Sequence, residues 1–103
     1  MSCRRVKLCK KIFFDRGCKV RRVYRYSLQL IGSIQWLSVH DASTPLLFAM
    51  QDRVPCLWLE VWTDRIKVDK QVMIVGTGHQ VPDGFKHIGS CIDGIFVWHL
   101  YGN

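Results

Sequence analysis

The chain has 103 residues, of which 49% are apolar and 12% aromatic, and a formal net charge of +7 at neutral pH. That length is one domain with a small core. It holds no apolar run near the roughly 20 residues of a membrane-spanning helix, and no apolar stretch of about 7–15 residues behind the basic N-terminus as a secretory signal requires, so a cytoplasmic chain with no membrane attachment is expected.

The charge is concentrated at the N-terminus. Residues 1–25 contain Arg4, Arg5, Lys7, Lys10, Lys11, Arg16, Lys19, Arg21, Arg22 and Arg25 against a single carboxylate, Asp15, whereas the remainder holds five basic and seven acidic side chains. Residues 1–18 therefore read as a basic extension on a nearly neutral body, residues 19–103. Such an extension is either a solvated tail or an arm drawn to phosphate backbones. Lys7–Phe14 is a candidate short helix, weakened by Phe13, Phe14 and Gly17. Five cysteines, Cys3, Cys9, Cys18, Cys56 and Cys91, are an odd number, which suits reduced thiols. The spacing of the first three is not the paired spacing of a zinc knuckle.

From Val23 the pattern becomes extended. Tyr24, Tyr26, Leu28 and Leu30 alternate with Arg25, Ser27 and Gln29, the period of a half-buried strand. Gly32 and Ser33 break it, Ile34–Val39 is a second strand, and residues 40–45 are a loop by composition. Leu46–Met50 and Val54–Thr63 form a hairpin about Gln51-Asp52-Arg53. Within it Leu57, Leu59 and Val61 share one face, and Trp58, Glu60 and Trp62 the other. Asp64–Lys70 is a polar connection whose alternation with Ile66 and Val68 can extend a strand. Gln71–Val75 is a further strand, and residues 76–86 form a loop with Pro82-Asp83-Gly84 as a turn. His87–Ile92 and Ile95–Tyr101 flank Asp93-Gly94, a two-residue hairpin signal. The pattern predicts a mostly β domain of six to seven antiparallel strands with meander connections, either a small sandwich or a partly open barrel.

Pro55-Cys56-Leu57-Trp58, Gly76-Thr77-Gly78-His79, Pro82, His87-Ile88-Gly89 and Val97-Trp98-His99, with Tyr24-Arg25-Tyr26 as an opening strand, together resemble a family of short bacteriophage proteins described only as a domain of unknown function. The resemblance covers roughly residues 20–101. It implies a phage or prophage origin and a cytoplasmic accessory role, and it supplies no catalytic residues. The chain departs from the family's pattern in its extra N-terminal residues and at residues 40–45.

Thr77, His79 and His87 are candidate binding residues, because an imidazole in a Gly-shaped loop is accessible and titrates near neutrality. The histidines either cap strand ends or, with His99, converge on a metal; the former is the expectation, and no metal or cofactor is assigned. Thr77, Ser90 and Cys91 are hydroxyl or thiol groups that a histidine would have to activate, but no nucleophile elbow, deaminase pattern or spaced carboxylate pair accompanies them. Gly76-Thr77-Gly78 lacks the third glycine of a dinucleotide loop and the lysine of a P-loop. A non-enzymatic role is therefore expected. Trp58 and Trp62 are candidate contacts if their face is the outer one. The function expected is non-catalytic binding to a host protein. The alternatives are nucleic-acid binding through Arg4–Arg25 and capture of a small anion at the Gly-Thr-Gly-His loop.

Overall fold

A computed structural model describes residues 20–103. The basic extension and Lys19 lie outside these described residues. Seven strands follow: β1 (Arg21–Ser27), β2 (Gln35–His40), β3 (Thr44–Gln51), β4 (Val54–Trp62), β5 (Lys67–Gly76), β6 (Lys86–Asp93) and β7 (Phe96–Gly102). All pairings are antiparallel. They form a three-stranded sheet ordered β1-β4-β3 and a four-stranded sheet ordered β2-β5-β7-β6. No helix occurs among the described residues.

The meander expected from the sequence holds only for the β3–β4 and β6–β7 hairpins. The chain changes sheets between β1 and β2, β2 and β3, and β4 and β5, and between β5 and β6 it passes over β7 within one sheet, so β1 pairs with β4 and β2 with β5. The polar stretch before Gln71 is extended, as its alternation allows, and β5 begins at Lys67. Leu30 is not part of the first strand. The chain leaves β4 after Ser27, and the Leu28 N–H donates to the Pro55 carbonyl at 2.8 Å, which turns Leu28 into the core while Leu30 is exposed.

The alternation fixes which faces meet. Leu57, Leu59 and Val61 of β4 face Val72 and Ile74 of β5 and Leu100 of β7, with Leu28, Val39 and Phe48 completing the cluster. Val61 and Leu100 are fully buried. Each such side chain contributes roughly 1.5–3 kcal/mol by leaving water. The sheets come together where β3 runs beside β6: a Cβ on Gly89 would stand 3.1 Å from Phe48 Cβ, a tighter contact than most side chains make, so this approach favours glycine. The strand register shifts here, between His87 and Gly89. The other two sheet edges, β1 and β2, pair on one side only. The result is a sandwich closed along β3 and β6 and open along β1 and β2.

Non-glycine residues hold positive φ in two turns, at Ala42 between β2 and β3 and at Asp52-Arg53 between β3 and β4. In the β3–β4 hairpin the closing pair is Gln51 and Val54, and the two residues between, Asp52 and Arg53, have φ of 50° and 66°. Two successive positive φ values are the signature of a type I′ turn, whose twist matches the flanking strands and which glycine or asparagine fits best. In the β6–β7 hairpin Asp93 pairs with Phe96, so the turn residues are Gly94 and Ile95 rather than Asp93 and Gly94.

Candidate functional site

The turn after β5 and the turn between β6 and β7 meet at one end of the four-stranded sheet, because Gly76 pairs with Trp98 and β6 follows on the far side of β7. The His79 N–H donates to the Gly76 carbonyl at 3.0 Å, and Gly78 has φ of 90°. Positive φ at the third turn residue is the type II pattern, which calls for glycine there. The turn folds the imidazole back: a Cβ on Gly76 would meet His79 Nδ1 at 3.1 Å and Trp98 at 3.3 Å. Gly76, Thr77 and His79 line a surface hollow of about 470 Å³ together with Ile95, Phe96, Val97 and Trp98.

The rim of this hollow is apolar. Phe96 and Trp98, two residues apart on one face of β7, stack with centroids 5.4 Å apart and planes 18° from parallel. Trp98 packs against the core and donates its indole N–H to Asp93 Oδ2 at 3.2 Å, so its polar end is satisfied within the protein. Of the lining residues Ile95 is 92% exposed and Phe96 55%, and Ile92, outside the hollow, is 75% exposed. Val97 is also exposed.

On the outer face of the same sheet four polar side chains form a continuous chain. Thr77 Oγ1 lies 3.0 Å from His99 Nε2, Ser90 Oγ lies 2.7 Å from His99 Nδ1, and His87 Nε2 lies 2.8 Å from Ser90 Oγ. The His87 ring meets Tyr101 edge-on at 5.4 Å. Ser90 has one hydroxyl proton, so it donates to at most one of the two imidazoles and accepts from the other. The Ser90–His99 contact is within the range of a nucleophile and its base, but the group on the far imidazole nitrogen is a threonine hydroxyl. That hydroxyl orients the ring without the negative charge a carboxylate would bring to an imidazolium.

The candidate histidines divide between two faces. His79 packs beside Trp98, which faces the other sheet, whereas His99, one residue along β7, points outward. The less favoured alternative from the sequence is convergence of His79, His87 and His99 on one metal. Strand alternation separates the first from the other two, and among the described residues no three His, Cys, Asp or Glu side chains cluster to hold an ion. Ser90 and His99, which link Thr77 to His87, are directly opposed in the β6–β7 hairpin.

Trp58, Glu60 and Trp62 point away from the core and are half-buried. β1 shields them, since Arg25, Val23 and Arg21 are their cross-strand partners. The Arg21 guanidinium sits 5.3 Å from the Trp62 ring centroid and 3.8 Å from Glu60. These tryptophans are thus a braced outer surface rather than a bare platform. Arg22 is exposed on the same strand.

The two described cysteines are unpaired, Cys56 buried and Cys91 half-buried. Burial first, and the Asp93 carboxylate second, push the Cys91 thiol up from its ordinary value, against a smaller opposite pull from a Met50 backbone hydrogen bond. A thiol raised in this way is a poor nucleophile at neutral pH.

Fold and surface together define a small two-sheet antiparallel β domain whose distinctive features are the apolar tip and the histidine–serine chain beside it. Residues 19–103 match the family described as a domain of unknown function (DUF7352), and the chain belongs to that family. No curated protein and no solved structure matches the chain.

Proposed function

We propose that this domain acts by non-catalytic binding to a protein partner, through the tip formed by the Gly76–His79 turn and the β6–β7 turn. The observation that carries the reading is the exposure of Ile95 and Phe96 at the turn beside the anchored Phe96–Trp98 stack, with the exposed cross-strand pair Ile92–Val97 on the opposite face of the same hairpin. Scattered exposed apolar residues are ordinary on a small protein; a hairpin tip that exposes apolar side chains beside a rigid aromatic stack is a contact surface. The partner is a host protein and the chain a phage-encoded cytoplasmic accessory factor. This part of the proposal rests on the motif resemblance at Pro55–Trp58, Gly76–His79 and His87–Gly89.

The test is quantitative affinity capture from bacterial lysate with the full chain and with the double variant Ile95→Asp, Phe96→Ser. Both positions are exposed, so the variant should keep the far-ultraviolet circular dichroism of the parent. The expected result is one protein retained by the parent and reduced at least tenfold with the variant, followed by reconstitution of the pair from purified components. Equal retention by both chains, or no retained protein, overturns the proposal.

A second reading has its own support. Arg21, Arg22 and Arg25 are exposed on the open-edge strand β1, continuous in sequence with the basic extension. Non-specific binding of nucleic acid through residues 4–25 follows from that arrangement. Its mark is a logarithmic affinity that falls linearly with the logarithm of salt concentration, with a slope near −0.9 per phosphate neutralised on duplex DNA.

A further inference from the structure

The two sheets enclose a second hollow, at the opposite end of β7 from the tip, beneath the connection between β2 and β3. Its volume is about 320 Å³. Leu37, Val39, Leu57, Leu59, Val72 and Ile88 supply its apolar wall, drawn from both sheets. His40, Asp41, Ser43, Lys70 and Asn103 supply its polar lining.

Lys70 does not fit the pattern of its strand. It lies between Val68 and Val72, and its cross-strand partner is Leu37. Val68, Val72 and Leu37 all belong to the core or pack against it. The two-residue period of β5 thus directs a lysine toward the inter-sheet side, where a purely structural strand would carry an apolar residue. Among the described residues no carboxylate lies within ion-pairing distance of it; the one such pair is Arg21 with Glu60. His40 and Ser43 are engaged by the fold itself. His40 Nδ1 donates to the Arg65 carbonyl at 2.8 Å, and the Ser43 hydroxyl donates to the His40 carbonyl. Lys70 is therefore the cation of the lining with no internal carboxylate partner.

We infer that this cleft binds an amphipathic monocarboxylate, its unbranched apolar tail between the sheets and its carboxylate on the Lys70 ammonium. A volume of this size is at the lower end of small-molecule sites. At ~30 Å³ per water-sized group it accommodates roughly ten non-hydrogen atoms, which suits a tail of about eight to ten carbons. The tail gains by leaving water and the headgroup gains a charge-assisted hydrogen bond, so affinity needs both parts. Asp41, the carboxylate of the lining, belongs to the turn after β2. Leu37, the cross-strand partner of Lys70, precedes Asp41 by four residues, so a headgroup on Lys70 is set apart from that carboxylate. This site is separate from the tip, and substitutions at one leave the other intact.

The experiment is calorimetric titration of the full chain with decanoate below its micelle concentration, alongside decanol and decylamine. Saturable decanoate binding is expected, with decanol and decylamine each at least ~10-fold weaker, the scale of losing one charge-assisted hydrogen bond. Lys70→Gln, an exposed position, is expected to bring decanoate down to the level of decanol and leave decanol unchanged. Methyl chemical shifts of Val39, Leu57 and Val72 are expected to move on titration, and the cavity-filling variant Val39→Phe to abolish binding of both decanoate and decanol. If Val39→Phe does not fold, the methyl shifts alone decide the location. The inference is overturned by the absence of saturable decanoate binding, by decylamine binding as tightly as decanoate, by an unchanged affinity in Lys70→Gln, or by shifts confined to other methyls.

Discussion

Asp52 and Arg53 hold a backbone conformation that ordinary L-residues adopt only at a cost of about 1–2 kcal/mol each. Arg53→Gly removes that cost at an exposed position. Its expected effect is a gain of ~1 kcal/mol, read as a rise in melting temperature of roughly 4–8 °C for a domain of this size. Gly78→Ala does the reverse, because φ of 90° is reserved for glycine. It should destabilise by about 1–2 kcal/mol and disturb the environments of His79 and Trp98, seen as a change in tryptophan fluorescence. Cys91 gives a pH effect whose sign follows from its surroundings. Its thiol binds a proton more tightly in the fold than in the unfolded chain, as burial and Asp93 require. The stability it lends is therefore complete below the ordinary thiol value and is lost as pH rises past that value toward the raised one. Urea midpoints taken at stepwise higher pH should fall in this window, and Cys91→Ala should flatten the fall. Peptide-resolved alkylation near pH 8 should label Cys91 more slowly than a free thiol.

At the level of strands, the core argument predicts that Leu100→Ala and Val61→Ala are among the costliest single changes. Both side chains are fully buried between the sheets. Leu100→Ala should cost about 2–5 kcal/mol, depending on how far the cavity collapses, measured as a shift in the chemical-denaturation midpoint. The positions of such residues are readable in a sequence, because alternation of Leu57, Leu59 and Val61 with Trp58, Glu60 and Trp62 marks the inner face without reference to any partner. Partners are another matter. The joining of β1 to β4 and of β2 to β5 is decided by which buried faces fit across the sandwich, a long-range condition that no local pattern carries. The candidate site shows the same limit at finer grain. Taking Asp93-Gly94 as the hairpin turn places Ile88 opposite His99. The actual turn at Gly94-Ile95 places Ser90 there, and with it the link to His87. Moving the turn by one residue keeps each side chain on its face but shifts every cross-strand partner by two. The histidines were visible as candidates, but which two shared a neighbour depended on register. Lys70 was hidden for a related reason, since its charge reads as a solvated connection until β5 is extended through it.

For the whole molecule, the family match begins at residue 19 and the first strand at Arg21. Deleting residues 1–18 should leave a cooperatively folding domain whose melting temperature lies within a few degrees of the full chain. The same deletion should strip most salt-sensitive affinity for nucleic acid if the basic arm is its source, while capture through the tip persists. The open side of the sandwich has a consequence for the molecule in concentrated solution. The boundary strand β1 is studded with arginine, which discourages a second chain from hydrogen-bonding alongside. The boundary strand β2, Gln-Trp-Leu-Ser-Val-His, has no lysine, arginine or proline to do so, and its Trp36 is 63% exposed. Intermolecular zippering should therefore start at β2, joining the four-stranded layers of two copies edge to edge into one continuous sheet. Ser38→Lys, at an exposed site within that strand, should keep the protein monomeric in light scattering at concentrations where the parent associates.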